Sequence, residues 1–254
     1  VILAAAIAAL AVLAYRPGVS VVKSLISTPR TAPTATGVWF VIGQTDAGPT
    51  TPTLLQSMAD YAYYFGSRVS FSGLYDALNT FFEEGGAQVY VARVVGPAAV
   101  TATRNLLDGA AAVSLIASAK GPGAGSDATH GNSLKVAVLA GVVSGFRIQV
   151  LDSANNVLET SGDLPSQQAA VNWSKTSQYI NLALGASALN PAVAAAASLA
   201  GGADDRANIT DVQRSAALAQ FTLDMGPGQV SAPGITTDSI HQILVAHADT
   251  HNRV

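Results

Sequence analysis

The chain has 254 residues, a formal net charge of −3, and 49% hydrophobic but only 11% charged residues, well under the roughly 25% charge of an ordinary soluble domain. That balance gives no electrostatic footprint for a phosphate backbone, so nucleic acid is not expected as a direct partner, and a surface so poor in charge is expected to meet other protein. The chain has no cysteine, which removes disulfides, thiolate zinc sites and a cysteine nucleophile.

Residues 1–14 are uninterrupted apolar sequence, shorter than the roughly 20 residues a membrane-spanning helix needs, and a membrane is not an expected partner. A signal-peptide core has this length, but no basic segment precedes it. The start on Val1 and the stop at Val254, directly after a helical pattern, read as a piece of a longer protein. Arg16-Pro17-Gly18-Val19-Ser20-Val21-Val22 alternates like a strand opened by a Pro-Gly turn, and residues 28–36 are a linker rich in Thr and Pro.

The first core strand is expected at Val38-Trp39-Phe40-Val41-Ile42, ended by Gly43. Thr51 as cap and Pro52 at the first helical position predict a helix with Leu55, Met58, Ala59 and Ala62 on one face, closed by Gly66. Ser72 is expected to cap a second helix, striped by Leu74, Leu78, Phe81 and Phe82 and ended at Gly85-Gly86 before a strand over 88–95. Strand, helix, helix, strand predicts an α/β layer structure. From Gly121 the character changes to a loop, Gly121-Pro122-Gly123-Ala124-Gly125, then short strands over 134–139, 146–151 and 157–159 with an Asn155-Asn156 hairpin turn. Helical pattern returns over 210–221 and 236–250, joined by a connection rich in Gly and Pro.

The chemistry sought is not found. Gly121, Gly123 and Gly125 have neither dinucleotide nor Walker spacing and read as a surface loop. His247 and His251 stand four apart near Asp249, but Ala248 occupies the place of a metalloprotease glutamate, so with Arg253 they read as a solvated, cation-friendly helix end. Glu83-Glu84 also reads as a solvated helix end, and Asp204-Asp205-Arg206 as a turn or salt-bridge patch. No Gly-x-Ser-x-Gly nominates a nucleophile. No catalytic, cofactor or metal residue is therefore assigned.

Four stretches in order resemble the contractile bacteriophage tail sheath family: Tyr15-Arg16-Pro17-Gly18-Val19-Ser20-Val21; residues 38–43 with Gly48-Pro49 and Tyr64-Phe65-Gly66; Phe81-Phe82-Glu83-Glu84-Gly85-Gly86-Ala87-Gln88-Val89-Tyr90-Val91-Ala92-Arg93-Val94; and later landmarks at 117–136, 199–204 and 230–234. The resemblance implies a layered α/β core of subtilisin-like fold without its protease triad, an inserted β-rich domain and an extended N-terminal arm. The expected divisions are arm and linker 1–36, core 37–120, insert 121–197 and core 198–254, with no counterpart of the family's C-terminal domain. The implied role is structural rather than enzymatic: a sheath subunit in the virion tail, assembled in the host cytoplasm, that polymerises in a helical array of hexameric rings around a tail tube protein and contracts to drive the tube through the host envelope. Its implied partners are copies of itself, the tube, the baseplate and the tail terminator. Pro17, Gly18, Val19, Val21 and Val22 are expected to form an inter-subunit arm, added as a strand to a neighbour's sheet. An exported surface or adhesion protein and an α/β enzyme are the alternative readings.

Overall fold

The computed structural model describes residues 37–254; the expected arm residues Pro17, Gly18, Val19, Val21 and Val22 lie outside them. The architecture is α/β. Strand β1 (Val38–Gly43) pairs in parallel with β3 (Gln88–Arg93) on one side and with β11 (Gln229–Ser231) on the other. Strand β2 (Thr53–Leu55) closes the edge antiparallel to β3, giving the order β11-β1-β3-β2.

A parallel sheet covered on both faces needs strands apolar on both sides, which is why β1 is an unbroken apolar run. Alternate residues divide between two cores. Phe40, Ile42 and Ala92 pack with Leu218 of α4 (Asp211–Leu218), with Phe221, and with Ile240 of α5 (Asp238–His251). Val41, Val89 and Val91 pack on the opposite face with Tyr61 and Phe65 of α1 (Met58–Phe65) and Leu74 and Leu78 of α2 (Leu74–Glu83). Trp39 ties two strands together by donating its indole N–H to the Ser231 hydroxyl at 2.9 Å.

The helix expected from Thr51-Pro52 starts later. Residues 53–55 take the free edge of β3 instead, and Ser57 caps α1 by accepting from the Asp60 amide while the Asp60 carboxylate accepts from the Gln56 amide. The shift turns Tyr61 and Phe65 inward and leaves Ala59 and Ala62 exposed. Backbone pairing to an open strand has outweighed the local proline signal.

The remaining strands form two antiparallel sheets. One has the order β4 (Thr101–Leu107), β5 (Val113–Pro122), β9 (Ile180–Leu184); the other runs β10 (Ala194–Ser198), β6 (Lys135–Ala140), β7 (Phe146–Leu151), β8 (Val157–Thr160). Both sheets and α3 (Gln167–Ser174) close on one core that includes Leu106, Leu115, Val136, Ile148, Ile180 and Leu182, with Trp173 against it. Strand β4 and most of β5 lie before Gly121, within residues 37–120, yet Ala102, Leu106, Leu115 and Ala117 belong to this core. The β7–β8 hairpin turns at Asn155, whose φ is 70°, and the Asp152 carboxylate fixes it by accepting from the Asn156 backbone amide at 2.8 Å.

Replacing Leu78, fully buried under the parallel sheet, with alanine is expected to cost about 2–5 kcal/mol, read as a lower urea midpoint at unchanged slope.

Candidate functional site

The feature that organises the described residues is where β3 ends. Arg93 is 2% exposed, and its guanidinium donates to the carbonyls of Gly48 at 2.9 Å, Thr45 and Asp46 at 3.4 Å, and Pro122. One cation thus joins the loop after β1, strand β3 and the end of β5. Burial pushes the guanidinium down to about 10, opposed by the charges of Asp204 and Asp46, so it remains cationic at neutral pH. Guanidinium suits this place because its donors form a planar fork that reaches several acceptors at once, and it is less strongly hydrated than an ammonium.

Asp46, also 2% exposed, acts in the opposite sense. Its carboxylate accepts from the Ser126 amide at 2.9 and 2.7 Å and from the Asp127 amide at 3.3 Å. A buried cation of the α/β sheet therefore joins the first loop to the Pro122 carbonyl of the β-rich part, and a buried anion of the first loop holds two amides, those of Ser126 and Asp127. Charge-assisted bonds of this kind are the strong ones, and neither charge is left without hydrogen bonds in the interior.

The segment expected as a surface loop at Gly121 is corrected by this geometry. Gly121 and Pro122 are the last residues of β5, and Gly123 is buried. A Cβ on Gly121 would stand 1.9 Å from the Gly48 carbonyl oxygen. The glycine is there because two backbones touch.

Beside the junction, Asp127 accepts from the Thr129 amide at 2.9 Å and lies 2.8 Å from His130 Nδ1. Burial acts to raise the Asp127 carboxyl, and the hydrogen bonds and charge of His130, with those of Thr129, overcome it and leave the group at about 2. A cavity of about 290 Å³ opens next to it, lined by Tyr63, Tyr64, Lys120, His130, Ser177 and Tyr179 among others. The Lys120 ammonium donates to the Asn181 side-chain oxygen at 2.7 Å and the Ser174 carbonyl at 3.1 Å, and the Ser177 hydroxyl donates to Glu159 at 2.7 Å. These side chains are engaged in holding the β-rich fold.

A second buried cation sits at the end of α5. His247 and Arg253 are 7% and 6% exposed, which corrects their expected place on a solvated helix end. The Arg253 guanidinium donates to the carbonyls of Phe221 and Thr222 at 2.7 Å and to His247 Nε2 at 2.7 Å, and lies 3.8 Å over the Phe40 ring. An Nε2 that accepts from Arg253 carries no proton. Burial first, then the charges of His251 and Arg253, push His247 down to about 4. The rings of His247 and His251 stack at 4.0 Å. Among the described residues no group of three or more His, Cys, Asp or Glu side chains could hold a metal ion.

Glu83 and Glu84 are exposed. Asp204 and Arg206 form an ion pair, Arg206 lies 3.4 Å over the Phe71 ring, and Asp205 accepts from the Ala98 amide at 2.9 Å. Sequence reasoning placed Arg93 inside the strand expected over 88–95 and in the stretch that resembles the sheath family, without assigning it a site. A lone arginine closing an otherwise apolar strand was the available signal. Asp46 carried none, because an aspartate in a loop is ordinary.

Neither a protein-family model nor a curated protein sequence matches the chain. Among solved structures it is similar to a sheath tail protein from Desulfitobacterium hafniense, with a TM-score of 0.52 and 16% identity over 86% of this chain and 47% of that one. It is also similar to a sheath tail protein from Listeria innocua, with a TM-score of 0.58 and 15% identity over 85% of this chain and 45% of that one. The shared property is the fold, and this chain spans about half the length of either neighbour.

Arg93→Met is expected to leave the carbonyls around it without a donor and to cost about 3 kcal/mol or more, measured by urea unfolding, with Arg93→Lys intermediate. For His247 the depressed folded value means that the unfolded chain binds more protons between its ordinary pKa of about 6.5 and about 4. Stability should therefore fall as pH drops through that window, and His247→Gln should flatten the dependence in a pH series of thermal melts.

Proposed function

We propose that the chain is a structural subunit of a tail-sheath-like tube, one that polymerises with copies of itself around an inner tail tube and contracts to drive the tube through a host envelope. The observation that carries this reading is the fold likeness to two sheath tail proteins over 86% and 85% of this chain. The ordered resemblance in sequence supports it independently, since its densest passage, residues 81–94, falls on the end of α2, strand β3 and Arg93. On this reading the β-rich part is an insert in an α/β core, and residues 17–22 form the arm that enters a neighbour's sheet.

A device that changes length by rearranging copies needs each copy to move as one body, with two packings of the same surfaces available. The Arg93 and Asp46 contacts favour that division of labour, because they make sliding between the two parts of one chain costly. The role is structural, with no chemical step assigned to any residue.

Negative-stain electron microscopy of the chain, expressed with whatever sequence naturally follows Val254, is expected to show rings or regular helical tubes. Only monomers, from folded protein, would sink the reading. Removing the residues before Thr31 is expected to abolish assembly, and unchanged assembly would remove the arm from the proposal.

A further inference from the structure

Strand β11 ends the order β11-β1-β3-β2, so among the described residues no named strand lies on its outer edge. One residue has begun to fill that edge. The Val254 amide donates to the Gly228 carbonyl at 2.9 Å, and the Val230 amide donates to the Val254 carbonyl at 2.7 Å. A residue that donates to position 228 and accepts from position 230 lies opposite Gln229 in parallel register. Val254 is the first rung of a further parallel strand.

The chain reaches this edge by a fixed route. Helix α5 ends where Asn252 takes a left-handed φ of 53°, and the Arg253 amide donates back to the Ala248 carbonyl at 2.9 Å. The Arg253 side chain, held by the carbonyls of Phe221, Thr222 and Gly226, sets the direction in which Val254 leaves. Handedness agrees with that route. From β1 the chain passes through α1 and α2 on one face and returns as β3; from β11 it passes through α5 on the opposite face and arrives on the opposite side of the sheet. Reversing both face and direction keeps the hand of the crossover, and parallel crossovers share one hand.

Beside this edge runs a groove of about 550 Å³, lined by Trp39, Ala77, Thr80, Phe81, Ser231 and Val254 among others. The register decides which side chains could fill it. Trp39 lies opposite Gln229 and Val41 opposite Ser231, and both Trp39 and Val41 face α1 and α2. Val254, beside Gln229, shares that face, and so does the second residue after it, which falls beside Ser231. Val230 turns its amide outward to Val254, and a strand residue turns its carbonyl to the same side, where it can accept from the amide of that second residue.

We infer that the segment following Val254 in the full-length protein runs along β11 as a fifth parallel strand of the sheet, with the side chain of its second residue seated in the groove over Trp39 and Phe81. Each of the two sheath tail proteins is about twice as long as the stretch it shares with this chain, so the fold occurs with further chain attached. A continuation of the same chain covers the edge without the entropy cost that a separate molecule would carry. The second residue after Val254 is expected to be apolar, and a charged residue there would overturn the inference.

The test is hydrogen exchange, read residue by residue, in the full-length protein and in the 254-residue chain. In the shorter chain the Val230 amide is held by a terminal residue, and strand ends fray; in the full-length protein it lies within a ladder. It should exchange at least about tenfold more slowly there, equivalent to about 1.4 kcal/mol. Equal exchange in the two chains would overturn the fifth strand. Proline in place of the second residue after Val254 removes the donor to the Val230 carbonyl. In the full-length protein that change should return the Val230 amide to the faster rate, and unchanged protection would overturn the assigned register. These two full-length forms supply the comparison if the 254-residue chain does not fold. Protection that fades on dilution would make a second copy the occupant and overturn the continuation of the same chain. Tubes formed by a protein whose Val230 amide stays unprotected would remove the strand and leave the tail-sheath reading standing, and protection without tubes would do the reverse.

Discussion

The described structure depends on a full positive charge held where water barely reaches it. Arg93 stays in the interior because the backbone around it offers carbonyl dipoles, and those carbonyls belong to segments that would otherwise have no reason to meet. Removing a charged partner from such a place costs far more than the bond itself contributes in water, since the groups left behind remain desolvated. The junction is therefore strongly specified, and Gly121 is confined to glycine because a Cβ there would stand against the Gly48 carbonyl.

The same device recurs. Arg104 donates to the carbonyls of Val136, Ala195 and Ala197, across the irregular pairing of β10 with β6, and Arg253 donates to Phe221, Thr222 and Gly226. In each case a guanidinium gathers carbonyls that strand pairing or helix ladders leave over, which buried backbone requires. A chain with only 11% charged residues thus keeps Asp46, Arg93 and Arg253 buried.

What was legible in the sequence follows the same physics. Strands β1 and β3 were readable because apolar burial on both faces leaves an unbroken run, and α2 because Leu74 and Leu78 repeat at helical spacing. Strands β4 and β5 were not, since Thr, Ala, Ser and Asn are interspersed through them and their inward residues include Ala102 and Ala117, which carry little hydropathic contrast. The start of α1 was misread because pairing with β3, a long-range contact, decided it. His247 and Arg253 read as solvated because polar residues at a helix end usually are; the Phe221, Thr222 and Gly226 carbonyls and the Phe40 ring, all distant in sequence, bring them inside. Arg93 was visible as a position and invisible as a junction, because its carbonyl partners leave no mark in residue identity.

The two tryptophans fall one to each part of the fold. Trp39 stands in the parallel sheet with its indole bonded to Ser231 and its ring 5.1 Å from Phe81, and Trp173 sits on α3 against the β-rich core. Ultraviolet emission from the unmodified chain is therefore a sum of two signals from separate cores. Replacing either indole with phenylalanine isolates the other, giving an optical readout of whether the two parts lose their packing together or in turn, with no dye attached.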